Sequence, residues 1–135
     1  MLAGNLEEAG MRTLSILSAA LSAALLVYVG PVAAQPAKVA DGVLVGANGL
    51  TLYTFDRDAP GSGKSACNGG CATAWPPLMA TNSDQPSGDW TVVVRDDGSR
   101  QWAYKGRPLH FFQQDKKAGD RNGDGVGGVW HAAKK

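Results

Sequence analysis

The sequence predicts an all-β fold, a small two-repeat antiparallel sandwich or barrel that is built from hairpins and preceded by a signal-peptide helix. Three observations predict it. After residue 41, hydrophobic residues recur mostly at every second position, as in half-buried strands. Asn-Gly and Asp-Gly pairs, which favour tight turns, separate these runs. After residue 34 no run of ten residues has helical spacing, and a single turn within residues 66–75 is the one helical candidate.

The first 34 residues have the order of a secretory signal peptide. Arg12 precedes an apolar stretch at 14–29, and small residues end at Ala34. This stretch is shorter than the roughly 20 residues of a membrane-spanning helix. We therefore expect cleavage after Ala34 and no membrane span in the mature protein, with a retained anchor as the alternative. Glu7 and Glu8 do not suit the basic start of a signal peptide, so Met11 is the better candidate for the true start.

The composition limits the class of partner. The formal net charge is only +1, which is too balanced to favour nucleic acid or an acidic membrane surface. The 18 glycines predict many turns and few long helices. The mature chain is long enough for one domain. We expect a periplasmic or secreted monomer.

The elements of the mature chain, taken in order, form two repeats. Residues 35–41 are a polar lead-in to a secreted β domain at 42–135, whose repeats occupy about 42–80 and 91–132. The first repeat opens with a hairpin that turns at Asn48 and Gly49. The second is a three-stranded meander, with predicted strands at 91–95, 100–104 and 107–112. Pro108 has no amide hydrogen, so the last strand should begin at an edge or a bulge.

Residues 49–58 align with residues 106–115 without a gap, and this alignment defines the repeat. The matched positions are Leu52 with Leu109, Tyr53 with His110, Phe55 with Phe112, and Asp58 with Asp115. A tryptophan follows each copy, Trp75 in the first and Trp130 in the second. Two such copies predict a pseudo-symmetric fold whose halves bury their aromatic faces against each other.

The first copy reads Tyr-x-Phe-x-x-Asp from Tyr53 to Asp58, and "WPPL", "YKGRPLHFFQQD" and "GGVWH" follow in order. These motifs resemble a family of bacterial secreted repeat proteins, often described as predicted lipoproteins with the Tyr-x-(Phe/Trp/Tyr)-x-x-Asp motif. The resemblance covers nearly all of the mature chain. It departs where His110 replaces the motif tyrosine, and where no lipid-bearing cysteine follows the signal peptide. It implies a small exported domain without an established biochemical role.

Cys67 and Cys71 are the only cysteines. In an oxidising compartment such a pair predicts a disulfide, which would close a short loop and contribute about 2 kcal/mol of stability in the loop-closure treatment. A redox-active pair is the alternative, although active pairs usually have two residues between the cysteines rather than three.

Asp58 and Asp115 hold the same place in both repeats, just past a strand. We expect each carboxylate to accept backbone N–H bonds from the following turn. The alternative is a pair of catalytic carboxylates brought together by the pseudo-symmetry. His110 and His131 are the only histidines, and their separation in sequence makes packing a better prediction than metal binding. We assign no catalytic residue.

The stretch "DRNGDGVGGVW" resembles the start of a calcium-binding loop. Asp120, Asn122 and Asp124 supply oxygens at alternate positions, and Gly125 stands where such a loop turns. The position of the essential bidentate glutamate falls on His131, so the likeness is incomplete. A structural turn is the preferred interpretation, and calcium is the one cofactor left open.

Several aromatic side chains could stack on a ligand if a groove exposed them. The candidates are Trp75, Trp102, Tyr104 and Trp130. The resulting hypothesis is an exported, non-catalytic binding or cell-envelope-associated module for an unknown small ligand or envelope component.

Two alternatives come from other classes. One is a weak calcium-stabilised extracellular module. The other is a periplasmic redox enzyme using Cys67 and Cys71, or a hydrolytic enzyme using Asp58 and Asp115.

Overall fold

The computed structural model describes residues 35–135, and the predicted signal-peptide helix lies outside the described residues. Within 35–135 the chain forms short antiparallel strands and one short helix, which confirms the all-β prediction. The elements are β1 (Lys38–Ala40), β2 (Val43–Val45), β3 (Tyr53–Phe55), α1 (Gly70–Ala74), β4 (Met79–Ala80), β5 (Trp90–Val94), β6 (Arg100–Tyr104), β7 (Arg107–Pro108) and β8 (Trp130–Ala132). A 3-10 turn at Val126–Gly128 precedes β8. Nowhere in this part of the chain is there a helix with the length and apolarity to cross a membrane.

The helix α1 falls inside the single helical turn predicted at 66–75. The strand β1, by contrast, lies in residues predicted as a polar lead-in, and it pairs with β2 from Lys38 opposite Val45 to Ala40 opposite Val43. The residues of β1 do not alternate between polar exposed and apolar buried positions, because Lys38 and Val39 are both exposed, and this makes the strand hard to predict from the sequence.

The predicted meander is present in β5, β6 and β7. Trp90 pairs with Tyr104 at one end of the β5–β6 ladder and Val94 with Arg100 at the other. The hairpin to β7 turns at Lys105 and Gly106, which both have positive φ, as a type I′ turn requires. The prediction of a strand through residue 112 was wrong beyond Pro108, because Leu109 keeps one backbone bond to β6 and His110 then pairs with Tyr53 of the first repeat.

Each repeat contributes its last strand to the sheet of the other. The strand β8 of the second repeat pairs with β3 of the first, and β4 of the first pairs with β6 of the second. The backbone bonds match across the two halves: Leu44 N–H donates to Ala133 C=O at 2.8 Å, and Trp102 N–H donates to Leu78 C=O at 2.8 Å. The repeats are therefore interleaved rather than placed side by side.

The two halves meet at Tyr53 and His110, the equivalent positions of the repeat. Tyr53 N–H donates to His110 C=O at 2.7 Å, and His110 N–H donates to Tyr53 C=O at 3.0 Å. This reciprocal pair lies where an approximate two-fold axis would pass. No sheet in residues 35–135 closes on itself, so the barrel, one of the two predicted architectures, does not form.

Side chains of these strands fill two core clusters. The strand β2 is buried on both faces and sends Leu44 into the first cluster, and Val43 and Val45 into the second. The first cluster holds Ala37, Leu44, Leu52, Leu78, Ala80, Trp90, Trp102, Leu109 and Ala133. The second holds Val43, Val45, Tyr53, Phe55, Cys67, Trp75, Phe112, Trp130 and Ala132. Both repeats contribute to both clusters, so neither repeat has a core of its own.

Candidate functional site

The motif side chains of the two repeats are hydrogen-bonded to each other across the centre of the protein. The Tyr53 hydroxyl donates to Asp115 Oδ2 at 2.5 Å. Its counterpart, His110 Nε2, lies 3.1 Å from Asp58 Oδ2. The ring of one repeat thus meets the carboxylate of the other, in both directions. This reciprocal pairing follows from the interleaved strands and has no local sequence signal.

Both carboxylates also hold the loop that follows them. Asp58 Oδ1 accepts the Ala66 N–H at 2.6 Å, and the Ser65 hydroxyl donates to the same carboxylate. Asp115 Oδ1 accepts the backbone N–H and the side-chain amide of Asn122, both at 3.0 Å. With exposures of 1% and 4%, Asp58 and Asp115 have almost no surface to offer a substrate. Their geometry is that of loop-anchoring groups.

Tyr53 is fully buried and keeps its proton. Burial is the largest cause that raises the pKa of Tyr53 above its ordinary value, and the hydrogen bond to Asp115 raises it further. The hydroxyl oxygen also accepts the Gly123 N–H at 3.2 Å. Tyr53 therefore ties the second repeat's carboxylate and its glycine-rich loop to the centre of the fold.

Four aromatic rings stack beside this polar centre. The order is Phe55, Trp130, Trp75 and Phe112, with centroid separations of 4.3, 3.8 and 4.0 Å. The two tryptophans are parallel to within 1°, and each repeat supplies one Phe and one Trp. Stacking at these distances places large rings face to face without a gap for a ligand.

Three of the four rings proposed as ligand contacts are buried. The exposed fractions of Trp75, Trp102 and Trp130 are 6%, 8% and 4%. Trp102 packs edge-on against Trp90 in the first core cluster. Tyr104 is half-buried and is the one candidate ring that reaches solvent.

The structure joins Cys67 to Cys71 in a disulfide, as the sequence predicts for this pair. Cys67 is buried and Cys71 is half-buried. The loop carrying them is held by Arg95 at the end of β5, whose guanidinium donates to the Cys67 carbonyl and, at 3.2 Å, to Asn68 Oδ1.

Arg95 itself is positioned by the second repeat. It is only 5% exposed and donates to Gln101 Oε1 at 2.7 Å, while Gln101 donates to the Leu109 carbonyl at 2.8 Å. Neither residue was predicted from the sequence, because a charged residue at the end of a strand is usually solvated. The available signal was Gln101, which alternates with Ala103 in the predicted strand at 100–104.

The two carboxylates of the calcium-like stretch accept backbone N–H groups from separate segments, and the Asn122 side chain donates to Asp115. Asp120 Oδ2 accepts the N–H groups of Lys116 and Lys117, at 2.8 and 3.1 Å, and the first of these bonds is the largest cause that lowers the pKa of Asp120. Asp124 Oδ1 accepts the Ala132 N–H at 3.0 Å. Asn122 is engaged with Asp115.

Packing also constrains this stretch. A Cβ at Gly123 would lie 2.7 Å from the ring of Trp75, so the loop approaches the core too closely for any side chain there. Among residues 35–135 no group of three or more His, Cys, Asp and Glu side chains is placed to hold a metal. Calcium binding by Asp120, Asn122 and Asp124 stays the alternative to the structural turn predicted for this stretch.

The two histidines occupy different environments. His110 is buried at the centre, whereas His131 is on the surface with its Nε2 2.9 Å from Asp56 Oδ2. The side chains of His131 and Asp56 are each 47% exposed. The fold does not bring the two histidines together.

One surface groove is strongly basic, and we call it the basic groove. It has a volume of about 360 Å³ and a floor that includes Leu109 and Ala132. Its polar lining comprises Thr54, Tyr104, Lys105, Arg107, His131 and Lys134. A second groove of about 640 Å³ shares Tyr104 and is lined by Lys38, Asp89 and Lys135. Tyr104 therefore lines both grooves.

Comparison with known proteins agrees with the two-repeat architecture. A family model described as a secreted repeat of unknown function matches the chain twice, at residues 36–79 and 91–134. The first match begins early enough to include β1. No curated protein and no solved structure matches the chain. The two matches span more than half of the sequence and confirm the resemblance seen in its motifs: the chain belongs to this family of secreted repeat proteins, whose function is not established, and carries two copies of the repeat.

Proposed function

We propose that this secreted protein is a non-catalytic binding module whose ligand surface lies outside the repeat motif. One observation carries the proposal: the polar and aromatic residues of the motif in both repeats are buried and bonded to one another. Tyr53 and His110 are 0% exposed, and Asp58 and Asp115 are nearly so. The residues that define the family therefore build the scaffold, and recognition falls to what the scaffold carries on its surface.

The grooves on either side of Tyr104 are the surface that fits this role best. Tyr104 ends β6, and its partner Arg107 begins β7, so the ring stands on a hydrogen-bonded hairpin rather than on a loose loop. Side chains on regular strands hold a binding geometry more accurately than those on loops. The ring of Tyr104 also packs against Trp90, with the two ring centroids 4.8 Å apart, and this contact supports it.

The enzyme alternatives have less support in this arrangement. The carboxylates of Asp58 and Asp115 already accept two or more protein hydrogen bonds each. The two cysteines are bonded to each other, and Cys67 is 0% exposed. A hydrolytic or redox role would need these groups to be released from their present partners before they met a substrate.

Cosedimentation of the purified exported protein with washed cell-envelope material tests the proposal. We expect saturable binding by the wild-type protein and a loss of at least about fivefold in affinity for Tyr104→Ala, since buried aromatic contacts dominate most binding surfaces. Met79→Ala is the matched control, because Met79 is 52% exposed on a strand that does not line either groove around Tyr104.

Circular dichroism would check that Tyr104→Ala keeps the native fold. A folded Tyr104→Ala protein that binds as tightly as the wild type would refute the proposal, and so would the absence of binding to any envelope fraction.

A further inference from the structure

We infer that the basic groove binds an anionic polysaccharide, an inference that rests on the proposed binding function and specifies its ligand class. The groove concentrates positive charge on a protein whose formal net charge is only +1. Lys105, Arg107 and Lys134 line it together with His131, and no carboxylate does. Asp56, which does not line the groove, lies 2.9 Å from His131. Such a local excess of one sign attracts an anionic ligand.

The cations of the groove are not committed to acidic partners inside the protein. Within residues 35–135 the side-chain contacts between basic and acidic groups join Lys64 to Asp96, and the two histidines to Asp58 and Asp56. Lys105 and Arg107 take no part in them. A charged side chain without an internal partner can bind an external anion without first breaking an ion pair.

The hairpin that carries Lys105 and Arg107 is held firmly in place. The turn residues Lys105 and Gly106 have φ of 50° and 81°, and the Gly61 N–H donates to the Gly106 carbonyl at 2.9 Å. A Cβ at Gly106 would lie 2.9 Å from the Gly61 nitrogen, so the two turns are packed backbone to backbone. The Lys105 amine lies over the ring of Tyr104, 5.4 Å from its centroid. The backbone that carries Lys105 and Arg107 is therefore fixed relative to the groove.

The shape of the site favours a chain-like ligand rich in hydroxyl groups. The basic groove meets the second groove at Tyr104, and the second groove adds Lys38 and Lys135 together with one carboxylate, that of Asp89. Thr54 adds a hydroxyl next to the cations. A polymer with repeated acidic groups and many hydroxyl groups could occupy both grooves, whereas a small anion would use only one or two of the cations.

Two other polyanions fit less well. None of the large exposed apolar side chains, Val39, Met79, Val94 and Val126, lines the basic groove, and Val39 alone of these four lines the second groove. The groove therefore has no side chain to insert into a bilayer, which interfacial binding uses. Nucleic-acid domains are usually strongly basic overall, unlike this near-neutral chain.

Titration of the purified exported protein with polygalacturonate, and with dextran of similar length, tests the inference. We expect binding to polygalacturonate that weakens as salt rises, as charge-driven binding does, and at least about tenfold weaker binding by Arg107→Ser/Lys134→Ser. The matched control is Lys116→Ser/Lys117→Ser, which removes the same charge from an exposed turn that lines neither groove. The control should stay within about twofold of wild type by the same reasoning.

The outcomes separate this inference from the proposed function. Equal losses of affinity for polygalacturonate in the two double variants, or binding only to vesicles containing phosphatidylglycerol, would contradict a polysaccharide ligand. Equal binding to dextran and polygalacturonate would overturn the requirement for charge; if Tyr104→Ala abolished that binding, the proposed function would stand. Binding to neither polymer would overturn this inference, and the envelope experiment with Tyr104→Ala would then decide the proposed function alone.

Discussion

Tyr53 and His110 show what the repeat requires of a single residue. Both are rings that pack edge-on against a tryptophan, Trp75 for Tyr53 and Trp130 for His110. Both also place a polar atom within hydrogen-bonding distance of the other repeat's aspartate. The alignment of the two repeats identified these positions as equivalent, and the sequence predicted a packing role for His110. That both polar atoms reach the other repeat depends on the tertiary fold.

Tyr53→Phe removes one hydroxyl from this centre. Two groups lose a partner, Asp115 Oδ2 and the Gly123 N–H, and both are buried. We expect the free energy of unfolding to fall by about 1–3 kcal/mol, the usual cost of leaving buried polar groups unsatisfied. Urea denaturation at neutral pH measures it. Tyr104→Phe is the control, and a comparable loss in that half-buried residue would contradict the assignment.

The buried hydroxyl of Tyr53 should also make the protein less stable in alkali. Because burial raises the pKa of Tyr53 above its ordinary 10.0, the folded state holds the phenolic proton more tightly than the unfolded state. This contribution is complete below about pH 10 and is lost as the pH rises toward the raised folded pKa. Between pH 9 and pH 11, the free energy of unfolding measured by urea denaturation should fall less for Tyr53→Phe than for the wild type. Equal falls in the two proteins would show that other groups cause the loss of stability in alkali.

Substitution of Asp124 distinguishes a structural turn from a calcium site. Its carboxylate accepts the Ala132 N–H, so Asp124→Ala should destabilise the protein by about 1 kcal/mol whether or not calcium is present. We expect the thermal midpoint of the wild type to be the same in chelator and in calcium up to a few millimolar, the weak end of extracellular sites. A saturable calcium-dependent rise that Asp124→Ala abolishes would instead establish the site.

At the scale of elements, the long connection between β3 and β4 lacks strands of its own and depends on cross-links. The disulfide closes residues 67–71, Asp58 holds Ser65 and Ala66, and Arg95 holds the Cys67 carbonyl. The sequence predicted the first two of these devices, because cysteine pairing and aspartate turns are local. The third requires Arg95, which lies 28 residues away in the sequence, and could not be predicted.

Reduction of the disulfide should therefore loosen this connection without unfolding the sheets. For Cys67→Ser/Cys71→Ser we expect a fall of about 2 kcal/mol in the free energy of unfolding, the loop-closure value for so short a ring. The far-ultraviolet spectrum should remain that of the wild type. Dithiothreitol should reproduce the effect in the wild type and do nothing to the double variant, whereas global unfolding on reduction would refute this account.

At the scale of the whole molecule, interleaving makes the two repeats one folding unit. The strand β8 completes the first repeat's sheet, β4 completes the second's, and both core clusters draw on both repeats. Repeat proteins usually stack units that touch only their neighbours, so that stability is close to a sum over units. Here neither half keeps its hydrogen-bond partners without the other.

A cavity in one core cluster should then weaken the whole protein. Leu109→Ala in the first cluster should cost about 2–5 kcal/mol. In a Trp90→Phe/Trp102→Phe background, the remaining fluorescence comes from Trp75 and Trp130 of the second cluster. That signal and circular dichroism should report one shared, lowered midpoint. Val94→Ala, at an exposed site, should change this midpoint little. Two separate unfolding transitions would contradict a single folding unit.

The sequence by itself determined the fold class, the two-fold repetition, the tight turns and the pairing of Cys67 with Cys71. These are local or periodic properties: alternation of apolar residues, glycine at positions of positive φ, and short spacing between cysteines. Tertiary structure decided which repeat each strand completes, which rings are buried and which cations share a groove. Lys105 and Lys134 are far apart in the chain and line one groove only because β8 crosses into the first repeat's sheet. No local pattern encodes that crossing, since it arises from burying the aromatic faces of both repeats in common cores.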